Sequence, residues 1–256
     1  MNQSNFDTPL IETMRDHRSI RAFKDQPLPE GMLEHIISAA QMASTSSFLQ
    51  QYSVIAVQDR DRKARLAKLA GNQDFIRDCP VLLVFCADVH RLARVSEIEG
   101  TQINSDYVES FLVAAIDTAL LAQNVALAAE SLGLGIVYIG GIRSEPKGVI
   151  EELALPGLVF PLVGMCVGYP SHIPDKKTRL PLPAVLHREQ YQEDELHHYL
   201  DAYDTEIQRQ ELFKHMETGE VYGWMARAAR RMAYTDPKRL RVEMRQVLQQ
   251  QGFGME

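Results

Sequence analysis

Residues 107–143 read YVESFLVAAIDTALLAQNVALAAESLGLGIVYIGGIR, and the choice between a membrane span and a core helix at this stretch decides the fold. The run from Tyr107 to Leu132 is apolar on most faces and reads as one helix, stopped at Gly133, a residue suited to the left-handed conformation past a helix end. Asp117, Gln123, Asn124 and Glu130 interrupt it at short intervals. Polar groups at bilayer depth would be costly, so the pattern favours a helix buried in a core or a subunit interface. Residues 135–138 then read as a strand. A long helix leading directly into a strand sets an α+β or α/β rhythm.

Working outward, Leu33, Ile36, Ile37 and Ala40 recur at helical spacing after Pro29, which predicts a helix over 29–43. Residues 53–57 and 81–87 read as strands, with a helix over 61–69 between them. Downstream, a helix starting near Glu145 precedes a strand over 160–167. After Arg188 the composition turns charged and glutamine-rich, with helical periodicity over 199–216, 222–232 and 238–250. The expectation is a single domain over 1–256 with a helical excursion at about 188–256 packed on its core. Gly133-Leu-Gly135 enters a strand instead of leaving one, so the dinucleotide-binding GxGxxG frame is not met.

The chain has 256 residues, of which 45% are hydrophobic, enough for a sizeable core, and a formal charge of −7. That balance argues against nucleic acid or an anionic membrane as a main partner. The first ten residues include Asp7 and show neither a basic nor an apolar leader region, so a cytoplasmic protein is expected. Cys79, Cys86 and Cys166 sit in or beside apolar runs and read as reduced core residues. The only histidine pair is His197-His198. Neighbouring residues on a helix point to different sides, so no metal site is expected.

Five segments carry candidate chemistry, each with a plain structural alternative. In His17-Arg18-Ser19-Ile20-Arg21-Ala22-Phe23, an extended backbone sends His17, Ser19 and Arg21 to one side, where donors and a fixed cation suit a phosphate or an electron-rich heterocycle. A solvated basic turn is the alternative. Ser44-Thr45-Ser46-Ser47-Phe48 closes the helix behind Pro29 with hydroxyls that either meet a ligand or satisfy helix carbonyls. Gly71-Asn72-Gln73 offers a carboxamide to a heterocycle edge or is only a turn. In Tyr138-Ile139-Gly140-Gly141, the glycines permit close approach of a ligand, or simply a strand-to-helix turn. In Pro174-Asp175-Lys176-Lys177-Thr178-Arg179, extension places Lys177 and Arg179 on one side as a phosphate clamp or as surface charge.

In order and spacing, the pieces HRSIRAF, SSFLQ, GNQ, ESLGLGIVYIGGIR, PLVGMCVGYP and PDKKTRLP resemble the nitroreductase superfamily, in particular the subgroup of oxygen-insensitive NADPH nitroreductases and flavin reductases. The resemblance implies an α+β fold with a mixed, mostly antiparallel sheet, an intertwined homodimer, and FMN at the dimer interface. It implies that NADPH or NADH reduces FMN, which passes two electrons to nitroaromatics, quinones or free flavin in ping-pong fashion. A reductase that hands reduced flavin to a partner, or a protein that only binds FMN, are the alternatives. Carried over by motif, His17, Arg18, Ser19 and Arg21 match the N-terminal FMN motif. His17 and Ser19 serve its phosphate side, and Arg21 the N1 and O2 edge. Thr45 and Ser46 match the stretch reaching FMN from the partner subunit, Gln73 the pyrimidine edge, and Tyr138, Ile139, Gly140 and Gly141 the segment near N5. Lys177 and Arg179 match the phosphate pair. No catalytic acid, base or nucleophile is implied, since hydride transfer belongs to the two ring systems. Ser47 and Phe48 are candidates to line the open face.

One stretch departs from the NADPH-specific relatives. Before Trp224 those carry arginines for the 2′-phosphate, whereas here the segment reads LFKHMETGEVYGW over 212–224. Lys214 and His215 are its only basic residues. The choice between NADPH, NADH and dual use is therefore left open by the sequence, and a strong NADPH preference would need a cation elsewhere, such as Arg143 or Arg227.

Overall fold

The computed structural model describes residues 6–215 and 218–256. The reading of the first five residues as free of a leader and the expected helical limit at Met216 lie outside them. In chain order the elements are α1 (Pro9–Arg15), α2 (Met32–Ala40), β1 (Tyr52–Val57), α3 (Arg60–Leu69), α4 (Asp74–Asp78), β2 (Val81–Asp88), α5 (His90–Ile98) and α6 (Val108–Ser131). There follow β3 (Gly135–Ile139), α7 (Pro146–Glu152), β4 (Val159–Gly168), α8 (Leu196–Arg209), α9 (Trp224–Met232), α10 (Pro237–Leu240) and α11 (Met244–Gln250). The strands form one sheet in the order β1-β2-β4-β3, every pair antiparallel. The α+β class read from the sequence is the observed one. Two compact units result: the chain up to Asp175 with Arg241–Glu256, and Lys176–Leu240.

β2 is buried along its whole length, so it reads as a continuous apolar run instead of alternating. One sheet face meets α6 and α2 through Leu83, Phe85, Ile136, Met165 and Val167. The other meets α3, α4 and α7 through Leu82, Val84, Val137, Ile139 and Cys166. The α6 helix is long and apolar enough to cross a membrane by length and composition, but Ala114, Asp117, Thr118, Leu121, Val125 and Ala129 form a face buried in the core. Gly133, at φ 76°, ends it as expected. Along its outer side Val108, Leu112, Ile116 and Leu120 recur every fourth residue and are 44–49% exposed. All three cysteines are free and buried, and burial, with Asp88 nearby, pushes the Cys86 thiol up to about 12.

Several boundaries differ from the sequence reading. α2 starts at Met32 because Gly31, at φ 76°, caps it, so Pro29 precedes the helix instead of opening it. The expected helix over 238–250 is two, α10 and α11, broken where Arg241 takes φ 54°. The helix placed at 199–216 is α8, which begins and ends earlier. α11 returns to the first unit, where Val247, Leu248 and Phe253 pack with Phe160 and Ala87.

The chain leaving α2 makes an unusual turn. Ser47, Phe48 and Gln50 take φ of 49°, 60° and 55°, left-handed values that cost an L-residue roughly 1–3 kcal/mol each. Asp117, 1% exposed on α6, holds both ends of the turn. Its Oδ1 accepts from the Ser46 N–H at 2.9 Å and its Oδ2 from the Gln51 N–H at 3.2 Å. From α5, Arg91 donates to the carbonyls of Gln50 and Tyr52 at 3.1 and 3.2 Å and to Ser53 Oγ at 3.0 Å. Phe48 is thereby left 83% exposed on a fixed backbone.

Asp117→Asn puts an amide donor where one of the two N–H groups needs an acceptor. A buried donor left unsatisfied costs about 1–3 kcal/mol, so urea denaturation should show a loss of that size, with faster amide exchange at Ser46 and Gln51. Unchanged exchange at both amides would contradict the clamp.

Candidate functional site

The segment from His17 to Phe23 is extended and adds to the sheet beside β3. Ser19 bridges Ile136 in parallel, the Ile20 N–H donates to the Ile136 carbonyl at 2.8 Å, and Phe23 bridges Pro170. Ile20, 4% exposed, anchors it. A Cβ on Gly135 would lie 2.5 Å from Ile20 Cγ1, so glycine is what lets the segment dock this closely. His17 turns its Nδ1 to Glu130 of α6 at 2.6 Å, leaving Nε2 for another partner, while Arg21 is exposed.

Arg18, grouped by motif with those residues, goes the other way. Its guanidinium donates to the Asp16 carbonyl and carboxylate, both at 2.8 Å. It lines an open cleft of about 680 Å³ with Glu12, Arg15, Ile20 and Glu130, a cleft that includes none of His17, Ser19, Arg21 and Gln73. Period-two alternation explains the separation.

Two further groupings lie at β3. Gln73 donates from Nε2 to the Ala70 carbonyl at 2.7 Å. A Cβ on Gly141 would sit 2.5 Å from that same Nε2 and 2.3 Å from the carbonyl oxygen. Gln73 and the Gly140-Gly141 turn, 67 residues apart in numbering, therefore touch, and any side chain at Gly141 would push them apart. Tyr138, 37% exposed, directs its hydroxyl to Gln123 Oε1 at 3.4 Å. Burial and, second, the charge of Glu130 raise its pKa well above the ordinary tyrosine range. Glu130 and Gln123, seven residues apart on one face of α6, thus gather His17 and Tyr138.

Two guanidiniums flank the glycine turn. Arg143 donates to the Leu162 carbonyl, and Arg241 donates from Nη2 to the Gly140 carbonyl at 2.8 Å. Burial, then the proximity of Arg241, lowers the pKa of Arg143. Sequence reasoning missed Arg241, Glu130 and Asp117 as site-shaping residues. The only signal was the polar positions interrupting an apolar helix.

The second unit holds the remaining candidates. Thr178 is tied to α8, its carbonyl accepting from Tyr203 Oη at 3.1 Å and its hydroxyl from Gln210 Nε2 at 2.6 Å. Lys177 and Arg179 on either side are exposed, and Arg179 donates to the Lys177 carbonyl at 2.8 Å. Exposure alternates here, with Thr178 half-buried between the two exposed cations. Lys214 is exposed and pairs with Glu211, its Nζ 2.5 Å from Oε2. His215 buries Nδ1, which has no hydrogen-bond partner among the described residues.

The model of the "Nitroreductase family" matches residues 14–73 and 67–169, and that of the "Nitroreductase family, C-terminal domain" matches residues 177–256. The chain is 45% identical to an FMN reductase (NADPH) of Bacillus subtilis over 201 residues, 77% of this chain and 81% of the relative. It is 38% identical over 253 residues, 96% and 98% of the two chains, to an FMN reductase [NAD(P)H] of the same organism. Among solved structures, the NADPH:FMN oxidoreductase of Vibrio harveyi complexed with NAD+ superposes with a TM-score of 0.87 at 35% identity, covering 97% of this chain and all, 100%, of that one. Family models over most of the chain and full-length relatives of this similarity agree with the four-stranded sheet and its surrounding helices: the chain belongs to the nitroreductase family.

Proposed function

We propose that the chain is an FMN-dependent NAD(P)H oxidoreductase that works in the cytoplasm as a homodimer and reduces small electron acceptors: nitroaromatics, quinones or free flavin. The observation that carries this reading is the contact between Gln73 and the Gly140-Gly141 turn, which joins two of the family's flavin motifs into one surface. The relatives' names, FMN reductase and NADPH:FMN oxidoreductase, support the cofactor and the donor. Neither nucleic acid nor a membrane enters the reading.

The residues present fit FMN. With Nε2 engaged at Ala70, Gln73 keeps its carbonyl oxygen and a second N–H, an acceptor and a donor suited to a pyrimidine edge. Gly140 has only Arg143 Nη2, at 3.7 Å, near the place of a Cβ, so a ring can approach its backbone. By motif, His17 through Nε2 and Ser19 would serve the phosphate as donors, and Lys177 and Arg179 would serve it as cations, whereas Arg18 faces the open cleft and is held by Asp16. Arg21 would stand at the N1 and O2 edge, where a fixed positive charge favours the reduced ring. Bound FMN would supply the centre that accepts hydride and returns two electrons. Thr45 and Ser46 would reach the partner subunit's FMN, while Ser47 and Phe48 limit what lies on the open face. The exposed stripe Val108, Leu112, Ile116 and Leu120 is the surface we assign to the second copy, since a regular apolar row on a core helix is expensive to leave wet.

Because donor and acceptor would share one face in turn, initial rates at varied NADPH and quinone should give parallel double-reciprocal lines. Intersecting lines would contradict a shared face. Lys177→Ala with Arg179→Ala should weaken FMN retention by at least roughly ten- to hundredfold, the equivalent of about 1.5–3 kcal/mol for each lost charged hydrogen bond, whereas Arg21→Ala should slow reduction more than it weakens retention. Equal FMN affinity in the double variant and the parent would remove the phosphate assignment. Leu112→Glu with Ile116→Glu should convert a dimer to a monomer in analytical ultracentrifugation and lower FMN content together. A variant that stays dimeric would place the interface elsewhere.

A further inference from the structure

Glu130 is the penultimate residue of α6, and its Oε1 lies 2.6 Å from Nδ1 of His17. The Glu130 side chain is 12% exposed and that of His17 29%, so the contact is largely withdrawn from water and is not a loose surface pair. The backbone beyond His17 is fixed as well, because Ser19 bridges Ile136 and the Ile20 N–H donates to the Ile136 carbonyl. The last turn of α6 contains no basic residue. A carboxylate there meets the negative end of the helix dipole, a place where a cation is favoured.

The connectivity of this pair fixes its proton count. At 2.6 Å the oxygen and the nitrogen share a proton, since two bare acceptors would repel. With an ionised carboxylate accepting from Nδ1–H of a neutral ring, Nε2 carries only a lone pair, because neutral imidazole has a single N–H. That lone pair repels an anion. For Nε2 to donate, the pair must hold a second proton, either as imidazolium beside the carboxylate or as a neutral ring accepting from a protonated carboxyl. Both arrangements differ from the first by one proton, so the count does not depend on which atom keeps it.

We propose that Glu130 is a positioning residue that makes the hold of His17 on the FMN phosphate proton-linked: the pair carries one proton on its own and takes a second from solvent when the phosphate engages Nε2. The identity of the anion rests on the oxidoreductase reading above, and the proton count rests on the pair. In the loaded state the shared positive charge lies between two anions and at the negative end of α6. Fewer protons are offered as pH rises, so FMN affinity falls with pH, by up to roughly tenfold per pH unit where a whole proton is taken up. Tyr138 of β3, its pKa raised by burial and then by the charge of Glu130, stays neutral and adds nothing to the count. The other charged groups near the pair are Glu12 and Arg15 of α1 and Asp16, Arg18 and Arg21 of its own segment. They are common to the parent and the variants below, so they cancel in the comparison.

Calorimetric titration of the FMN-stripped protein with FMN, in buffers of different ionisation enthalpy, counts the protons taken up. At roughly pH 8 a phosphate monoester, with its second ionisation at about 6, contributes almost none of its own. The parent should take up close to one proton, and its affinity should fall as pH rises. Glu130→Gln can donate its amide N–H to Nδ1 and leave Nε2–H on a neutral ring, so it should bind FMN with about one proton fewer and with little dependence on pH. His17→Gln, which offers a donor that does not titrate, should behave the same way. In the FMN-free parent at the same pH, nitrogen NMR of labelled histidine should show His17 protonated at Nδ1 and bare at Nε2, a readout that stands even if the variants fail to fold. Equal proton counts in the parent and both variants, or an FMN-free ring protonated at Nε2 and bare at Nδ1, overturns the proposal while leaving the oxidoreductase reading intact. A parent that binds FMN at no pH overturns both.

Discussion

The carboxylate of Asp117 is the constraint on which the first unit's functional surface depends. It sits in the middle of the helix that backs the sheet, buried to 1%, and both oxygens are used by backbone N–H groups of one turn. A buried charge is tolerated only where hydrogen bonds replace water. Here those bonds also hold three L-residues in left-handed backbone. The apolar helix, the strained turn and the exposed Phe48 are therefore one device. The core supplies the rigidity, and the carboxylate transmits it to the backbone that carries the hydroxyls.

Farther along the same helix, Glu130 gathers His17 from the N-terminal segment and acts on Tyr138 from β3. The sheet supplies the other half: Gly135 admits Ile20, and Gly141 admits Gln73. In both cases a missing Cβ, and not a reactive group, lets two distant segments meet. That economy suits a protein whose cofactor would perform the chemistry, because what the chain must provide is position, fixed charge and an open face.

The sheet was legible because its strands are dense in β-branched and apolar residues, and β2, β3 and β4 fall where the pattern put them to within a residue or two. The N-terminal segment was legible only in part: period-two logic said which side chains share a face if it is extended, but the bridge of Ser19 to Ile136 that makes it so is a long-range contact. The α4 and α5 helices were not, being short and dominated by polar residues on their outer faces. Asp117 was visible only as an argument against a membrane. Nothing in a periodicity tells which backbone amides, 66 and 71 residues away, a carboxylate will hold. Arg18 was grouped with its neighbours by motif, although alternation predicts that it faces away from them, as it does. Lys214 drew attention as a cation, but its charge is answered by Glu211 three residues earlier, a helical-type spacing that the segment's lack of arginines overshadowed. The break at Arg241 was hidden because the apolar residues on both sides keep a helical rhythm across it.

If this chain holds FMN and passes electrons through it, the flavin itself reports the chemistry. The most direct measurement is the visible spectrum of the FMN-loaded protein kept free of oxygen while NADPH, then NADH, is added. The oxidised-flavin band should bleach with at least one nucleotide and return when a quinone or nitroaromatic is supplied. A band that persists under an excess of both nucleotides would contradict it.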